Sequence, residues 1–235
     1  MTADDDRMRS IAEALIEVGM DKTVRLMLPG IGPSMGKLMV ALDGDDSPAL
    51  ESALVDLYIL LHNAGSRYAP EELEMLKKRG GYLNYPGGLL PIIMAEQYIK
   101  PETVVFDLGA GNGLQGLLLQ RLYPHRKTIQ VELSGEMIRI GRIFQYALHI
   151  GDDRVEWLND DILEVPLKPA DFIYLYRPAR PSGSGTEVYR YIAARVAESD
   201  RPLVIFSVAD CLGRFLDKSL SVVYSNGHLT CFRRE

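Results

Sequence analysis

The chain has 235 residues, of which 47% are hydrophobic and 25% charged, as is usual for a globular protein with a sizeable core. Its formal net charge of -6 argues against broad electrostatic binding to nucleic acid. The two cysteines, Cys211 and Cys231, have no CxxC partner and predict neither a metal site nor a disulfide framework. The start M-T-A-D-D-D lacks a basic-then-apolar signal region, and no apolar run is long enough for a membrane span, so we expect a cytoplasmic protein.

Helical patterns dominate residues 1–99. Apolar residues recur at helical spacing behind the acidic start, and Leu50, Leu54 and Leu57 form a second stripe. The predicted elements are a first helix from the acidic start, a breaker-rich turn over 29–36, a helix from Ser47 to Gly65, a short helix from Pro70 to Gly80, and a helix over 88–99.

Strand and helix patterns alternate after residue 100. Strands are predicted at 103–108, 128–133, 154–158, 171–176 and 203–208, and helices at 113–122, 135–149 and 185–198. This alternation predicts an α/β fold with a mostly parallel sheet and helices on both faces. The last two strand-like runs flank Asn226-Gly227, which predicts an antiparallel hairpin whose two turn residues both have positive φ.

Residues 104–116, V-V-F-D-L-G-A-G-N-G-L-Q-G, end a predicted strand in a glycine-rich loop. Such loops let the backbone approach a nucleotide-like ligand closely. Two registers fit. The GxGxG register begins at Gly109 and suits S-adenosylmethionine, whereas Gly111, Gly113 and Gly116 form GxGxxG, the dinucleotide fingerprint.

Acidic residues at the ends of the first three predicted strands favour the first register. Asp107 suits an ammonium group, and a dinucleotide fingerprint usually has an apolar residue at its position. Glu132 can accept hydrogen bonds from a ribose diol, and a carboxylate of the Asp160-Asp161 pair can accept from an adenine amino group. These carboxylates lie outside the carboxyl ends of the strands, where open α/β sheets bind ligands.

The segments D-L-G-A-G-N-G, V-E-L and N-D-D-I-L resemble motifs of the class I, Rossmann-like S-adenosylmethionine-dependent methyltransferases. The resemblance covers residues 82–235 and implies a seven-stranded sheet that closes with an antiparallel hairpin, preceded by an N-terminal helical extension or lid at 1–99; the methyltransferase domain is then 100–235. It implies S-adenosylmethionine as cofactor. The cofactor-binding residues that it implies are Asp107, Gly109, Ala110, Gly111, Gly113, Glu132, Leu133, Asp161 and Ile162. The resemblance makes Asp160 the weaker choice for the adenine, because Asp161 better fits the family's spacing from Val155.

Candidate acceptor contacts lie after the fourth strand and before the first: Tyr82, Tyr85, Tyr174, Tyr176 and Arg177. The two earlier tyrosines lie among glycines and suggest a mobile lid, although a plain connecting loop explains them equally well. The two later tyrosines can instead fill the sheet. The [N/D/S]-P-P-[Y/F] motif of enzymes that methylate amino groups of bases and glutamine is absent, which argues against that subclass.

The sequence identifies neither the acceptor nor a catalytic base. A small molecule is favoured and a protein side chain comes next, while nucleic acid is disfavoured. The four histidines show no metal spacing. Residues 1–99 are expected to build the acceptor side of the site, with a dimerising or purely stabilising layer as the alternative. The rival functions are an NAD(P)-dependent oxidoreductase and a non-catalytic protein that binds S-adenosylmethionine.

Overall fold

The computed structural model describes residues 3–44, 46–65, 68–81 and 86–235. The helices in these ranges are α1 (Ala3–Met20), α2 (Lys22–Met27), α3 (Ile31–Asp43), α4 (Ser47–His62), α5 (Pro70–Lys78), α6 (Leu90–Ala95), α7 (Leu114–Leu122), α8 (Gly135–Ala147) and α9 (Gly185–Ala197). The strands are β1 (Val104–Leu108), β2 (Lys127–Glu132), β3 (Val155–Asn159), β4 (Phe172–Tyr176), β5 (Leu203–Val208), β6 (Ser221–Ser225) and β7 (Leu229–Arg234).

The seven strands form one sheet in the order β3-β2-β1-β4-β5-β7-β6. Strands β1 to β5 are parallel, and β7 is antiparallel to both β5 and β6. The predicted Rossmann-like α/β fold with a closing hairpin is therefore confirmed. Because β1, β2, β3 and β4 run in the same direction, their carboxyl ends meet at one edge, where the polar loops are brought together.

The two sheet faces are covered differently. On one face a continuous core joins α1, α3 and α4 to the sheet, with Leu15, Leu38 and Leu57 fully buried. On the other face α9 packs its buried Tyr189 and Ile192. Most helices before residue 99 thus share a core with the sheet, α5 excepted, and a domain boundary at 99/100 stays a prediction. Within the described ranges, no helix has the length and apolarity needed to cross a bilayer.

The turn predicted over 29–36 is wrong, since α3 begins at Ile31 and continues to Asp43. Pro33 lies in the first turn of α3, where a backbone N–H has no intrahelical partner, so the proline removes no hydrogen bond. Gly32 and Gly36 lie on an open side, where a Cβ would meet no atom within 4 Å. The breakers are tolerated because α3 packs through residues such as Met35 and Leu38.

Two predicted local features differ in detail. The helix expected over 88–99 spans only Leu90–Ala95, and the chain then turns before Pro101, which disfavours helical backbone at the preceding residue. In the hairpin turn only Gly227 has positive φ, at 85°. Asn226 contributes instead through its side chain, whose Oδ1 accepts from the backbone N–H of His228 and of Leu229.

Candidate functional site

A cavity of about 400 Å³ lies at the carboxyl edge of the sheet, beneath α4 and α5. Most of the predicted site residues line it: Asp107, Gly109, Ala110, Gly111, Glu132, Leu133, Asp161, Ile162, Tyr174, Tyr176 and Arg177. Gly113 is not among the lining residues. The predicted contacts Tyr82 and Tyr85 lie outside the described residues.

The glycine loop is fixed to the end of β2 by backbone hydrogen bonds. The N–H groups of Gly109 and Ala110 both donate to the carbonyl of Val131, each at 2.9 Å. Gly109 and Gly111 have φ of 76° and 59°, a backbone region that residues with a side chain rarely adopt. The loop therefore presents bare backbone to the cavity in one fixed conformation.

Gly113 has a packing role that the sequence did not reveal. It precedes α7 with φ of 67°, and a Cβ here would lie 2.2 Å from the ring of Trp157. The Trp157 indole donates to Gln145 on α8 at 2.7 Å, so the ring is held in place. The third glycine of GxGxG thus admits a tryptophan from β3 beneath the loop.

Asp107 is buried at the end of β1, with only 2% of its surface exposed. Its Oδ2 accepts from the backbone N–H of Gly116, in the first turn of α7, at 3.2 Å. Burial and the nearby Glu132 charge raise the pKa of Asp107 to about 7, against the opposing effect of the Gly116 hydrogen bond. A cation placed beside this carboxyl would favour its ionised form.

Glu132 is buried at the end of β2 and bridges two loops. One carboxylate oxygen accepts from the N–H of Gly111 at 2.8 Å and the other from the N–H of Ser134 at 2.9 Å. Burial raises its pKa, and these backbone donors oppose the rise. Each oxygen keeps a further lone pair for a hydroxyl donor.

Asp161 follows β3 and forms an ion pair with α5. Its Oδ2 accepts from Arg79 Nε at 2.6 Å, and its Oδ1 caps a short 3-10 helix through the N–H of Leu163 at 3.1 Å. Asp160 also lines the cavity, and its side chain accepts from the N–H of Asp161. The carboxylate predicted for adenine is thus already oriented by a guanidinium.

Three polar side chains from α4, α7 and β4 line the cavity next to one another. The Tyr58 hydroxyl donates to Gln115 Oε1 at 2.8 Å. The Gln115 Nε2 and the Tyr174 hydroxyl are buried and have no hydrogen-bond partner among the described residues. Gly87 packs directly on that hydroxyl, since a Cβ there would lie 2.0 Å from it. In this structure Tyr174 therefore supports the backbone at Gly87 and lies only 3% exposed.

His62, the last residue of α4, was not predicted and also lines the cavity. Asn112 of the glycine loop donates from Nδ2 to the carbonyls of Leu61, His62 and Ala64, at 2.9–3.3 Å, which fixes the end of α4 to this loop. Burial lowers the pKa of His62, with the neighbouring Asn63 side chain opposing. At neutral pH the imidazole is therefore uncharged, and its buried Nδ1 has no hydrogen-bond partner in the described ranges.

One signal in the sequence could have found His62. Tyr58 and His62 are four residues apart and share a face of α4 with the leucine stripe, so two polar aromatics lie on a face that is otherwise buried. Such a break in an apolar face indicates a polar cavity. Nothing in the local pattern distinguished Arg79 or Gln115, because their partners are 82 and 57 residues away in the chain.

Tyr176 and Arg177 form the rim beside β4. The Tyr176 ring meets His228 edge-on at 6.0 Å between centroids. Arg177 has φ of 38°, uncommon for a residue with a side chain, and its Nε donates to Cys211 Sγ. Strained backbone of this kind is concentrated at functional loops.

The described lining residues carry more acid than base. The acids are Asp107, Glu132, Asp160 and Asp161, and the guanidinium groups are Arg79 and Arg177. One of these guanidinium groups is already paired with Asp161. The described residues also bring no three histidine, cysteine or acidic side chains together in a way that could hold a metal ion.

No protein-family model matches the sequence. Among solved structures, the chain is similar to a provisionally assigned RNA methyltransferase from Pyrococcus horikoshii at 18% identity and a TM-score of 0.52, over 76% of this chain and 96% of that one. The chain has the fold of the class I methyltransferases.

Two further proteins with this methyltransferase fold were crystallised with the cofactor or its product. An RNA methyltransferase from Salinibacter ruber, in complex with S-adenosyl-L-homocysteine, is 18% identical with a TM-score of 0.46, over 62% of this chain and 88% of that one. Magnesium protoporphyrin IX methyltransferase from Synechocystis, with bound S-adenosylmethionine, is 12% identical with a TM-score of 0.45, over 76% and 84%. The similarity to the Pyrococcus horikoshii structure confirms, at the level of the fold, the resemblance predicted from the sequence.

Proposed function

We propose that the cavity binds S-adenosylmethionine and that the protein is a methyltransferase. The proposal is supported by the two buried acids at the ends of β1 and β2, which face one cavity beside the glycine loop. An excess of acids suits a ligand with a sulfonium and an ammonium group. The same excess disfavours a pyrophosphate.

The observation that carries the proposal is the Asp107–Gly116 hydrogen bond. A dinucleotide places its pyrophosphate at the N-terminus of the helix after β1, where free N–H groups and the helix dipole favour an anion. In this chain the Asp107 carboxylate lies at that helix terminus and accepts the Gly116 N–H at 3.2 Å. A pyrophosphate there would meet a like charge, so the NAD(P) alternative is disfavoured.

The residues fit the cofactor group by group. Asp107 would hold the ammonium group, Glu132 the ribose hydroxyls, and Asp161 with Ile162 the adenine. The buried Nε2 of Gln115, which has no partner among the described residues, is a donor for the methionine carboxylate. Gly113 does not line the cavity, and the Trp157 contact accounts for a glycine there, so its predicted contact with the cofactor stays a prediction.

Bound S-adenosylmethionine supplies an electrophilic methyl group. The protein must then orient the acceptor and, for a nitrogen or oxygen acceptor, remove one proton as the new bond to carbon forms. His62 is the described lining residue suited to take that proton, because its imidazole is neutral at pH 7. Burial raises the pKa of the Tyr58 and Tyr174 phenols, which keeps them protonated at neutral pH and therefore unable to accept the proton.

The acceptor that we favour remains a small molecule, with a protein side chain next. The expectation that nucleic acid is an unlikely acceptor has no support, because two of the similar structures are of proteins named as RNA methyltransferases. The net charge of -6 disfavours broad binding to nucleic acid and leaves a specific RNA open.

Calorimetric titration with S-adenosylhomocysteine and, separately, with NADH and NADPH tests the cofactor. We expect binding of the first only, and binding of a dinucleotide alone would overturn the proposal. A labelled-methyl screen over small molecules, proteins and RNA then separates an enzyme from a non-catalytic binding protein.

The His62→Gln variant tests the proton acceptor once an acceptor is found. It should bind S-adenosylhomocysteine as the wild type does and lose most of its transfer rate at neutral pH, by about 10²–10⁴-fold. Part of the lost rate should return at higher pH if the acceptor loses its proton to solvent. An unchanged transfer rate would remove His62 from this role.

A further inference from the structure

Helix α5 covers the cavity but is not part of the hydrophobic core. None of its nine residues is buried, and all nine are described. Leu76 is half-buried and lines the cavity, as does Arg79 directly after the helix. A helix of this length gains its stability from tertiary contacts, so polar contacts must hold α5 in place.

These contacts tie α5 to the loops after β2, β3 and β4. Beyond β2, the Glu72 carboxylate accepts from the Ser134 hydroxyl at 2.7 Å and from the Gly135 N–H at 2.8 Å. Beyond β4, the Arg180 N–H donates to the Gly80 carbonyl at 2.7 Å. Between them, Arg79 pairs with Asp161 beyond β3. The helix and the two residues after it are thus fastened beyond three neighbouring strands, beside the cavity that Leu76 and Arg79 line.

Of these contacts, only the Arg79–Asp161 ion pair involves a side chain that we propose to contact the cofactor directly. Asp161 is 16% exposed in its side chain and Arg79 is 39% exposed, so this pair is partly shielded from solvent. Arg79 occupies one carboxylate oxygen and the Leu163 N–H the other, which fixes the carboxylate plane. That plane determines where an adenine amino group can donate.

We propose that Arg79 is a positioning residue of the cofactor site, which orients Asp161 for the adenine and fastens α5 over it. The inference rests on the proposed function. It requires that cofactor binding and the ordering of α5 are coupled, and such coupling is reciprocal. A bound cofactor should therefore protect the α5 amides from hydrogen exchange, and a loosened α5 should weaken binding of the cofactor.

The test combines calorimetric titration of S-adenosylhomocysteine with hydrogen exchange of the α5 amides. We expect Arg79→Gln to weaken binding about 3- to 10-fold, and Arg79→Lys to recover part of the loss, because lysine restores the charge without the planar donor. The double variant of Arg79→Gln and Asp161→Asn should bind S-adenosylhomocysteine with the same affinity as Asp161→Asn alone, because both substitutions break the same Arg79–Asp161 contact. The ligand should slow α5 exchange in the wild type and much less in Arg79→Gln.

A matched control is Arg139→Gln, which breaks an exposed ion pair with Glu136 on α8 and should change neither readout. Wild-type affinity in Arg79→Gln, or tighter binding, would overturn the inference while leaving the proposed function intact. The inference would also be overturned if the fold losses in affinity of the two single variants multiplied in the double variant. The same holds if the ligand did not change hydrogen exchange of the α5 amides in the wild type. A wild type that does not bind S-adenosylhomocysteine overturns the proposed function and the inference together.

Discussion

The two sides of the cavity are built in opposite ways. The strand-end side consists of the glycine loop and the buried acids Asp107 and Glu132, which are held by backbone hydrogen bonds beside the fully buried strand β1. The cover, α5, buries no residue and is fastened by Glu72 and Arg79. Elements with few buried contacts open at low free-energy cost. The comparison indicates a preformed cofactor floor beneath a part that can move.

The largest effect should follow from substitution in the floor. We expect Gly113→Ala to destabilise the protein by about 2–6 kcal/mol, the sum of backbone strain at φ 67° and the clash with Trp157. Gly227→Ala is the matched control, because φ there is 85° but a Cβ meets no atom within 4 Å. Urea unfolding measures both. Equal losses for the two variants would show that the Trp157 contact contributes nothing.

Loss of the Glu132 carboxylate should weaken ligand binding more than any substitution in or next to α5. We expect Glu132→Ala to weaken binding of S-adenosylhomocysteine by about 1.5–3 kcal/mol, the scale of hydrogen bonds to a charged group. Calorimetry on a variant shown to be folded by circular dichroism measures this. Glu156→Ala, an exposed glutamate on β3, is the control. Full affinity in Glu132→Ala would remove this residue from the site.

The contact between Gly87 and the Tyr174 hydroxyl, beside the floor, can be tested in the same way. Gly87→Ala should destabilise the protein by about 1–3 kcal/mol through its clash with the Tyr174 hydroxyl. Tyr174→Phe alone should change stability little, because that hydroxyl has no partner among the described residues. Combined, the two should largely cancel, since the nearest remaining ring atom lies 3.3 Å away. Additive losses in the double variant would contradict the contact.

The pH dependence of binding tests Asp107. A cationic ligand favours its ionised form, so affinity for S-adenosylhomocysteine should rise up to about tenfold per pH unit from pH 5 towards 7 and then level off. The folded pKa of about 7 lies above the ordinary 3.8, so stability without ligand should fall as pH rises between these values. Asp107→Asn should flatten both profiles, and a slope that survives this substitution belongs to another group.

The smallest effect should come from the cover itself. Leu76→Ala should cost less than about 1 kcal/mol of global stability, because Leu76 is only half-buried and α5 is outside the core. Leu54→Ala, at a fully buried position of α4, should cost about 2–5 kcal/mol. Urea unfolding compares them. Similar losses would place α5 within the cooperative core and remove the contrast between floor and cover.

The sequence by itself determined the floor. Short apolar runs that end in Asp107 and Glu132, followed by glycines and helical patterns, are local features, so both the parallel sheet and the position of these acids could be predicted. The Asn226-Gly227 signal likewise predicted the hairpin, although its turn uses a side-chain acceptor at Asn226. The glycines and prolines at 29–36 led to a wrong prediction of a turn, because the packing of α3 outweighs the local preference of these residues.

Only the tertiary structure decided what faces the floor. His62 reaches the cavity because Asn112, fifty residues later in the chain, binds the end of α4. Arg79 reaches it because its side chain pairs with Asp161, which lies 82 residues further along the chain. The need for glycine at 113 depends on Trp157, which arrives from another strand. Local patterns carry the periodicity of a segment and its caps, whereas contacts between distant segments depend on how whole elements pack.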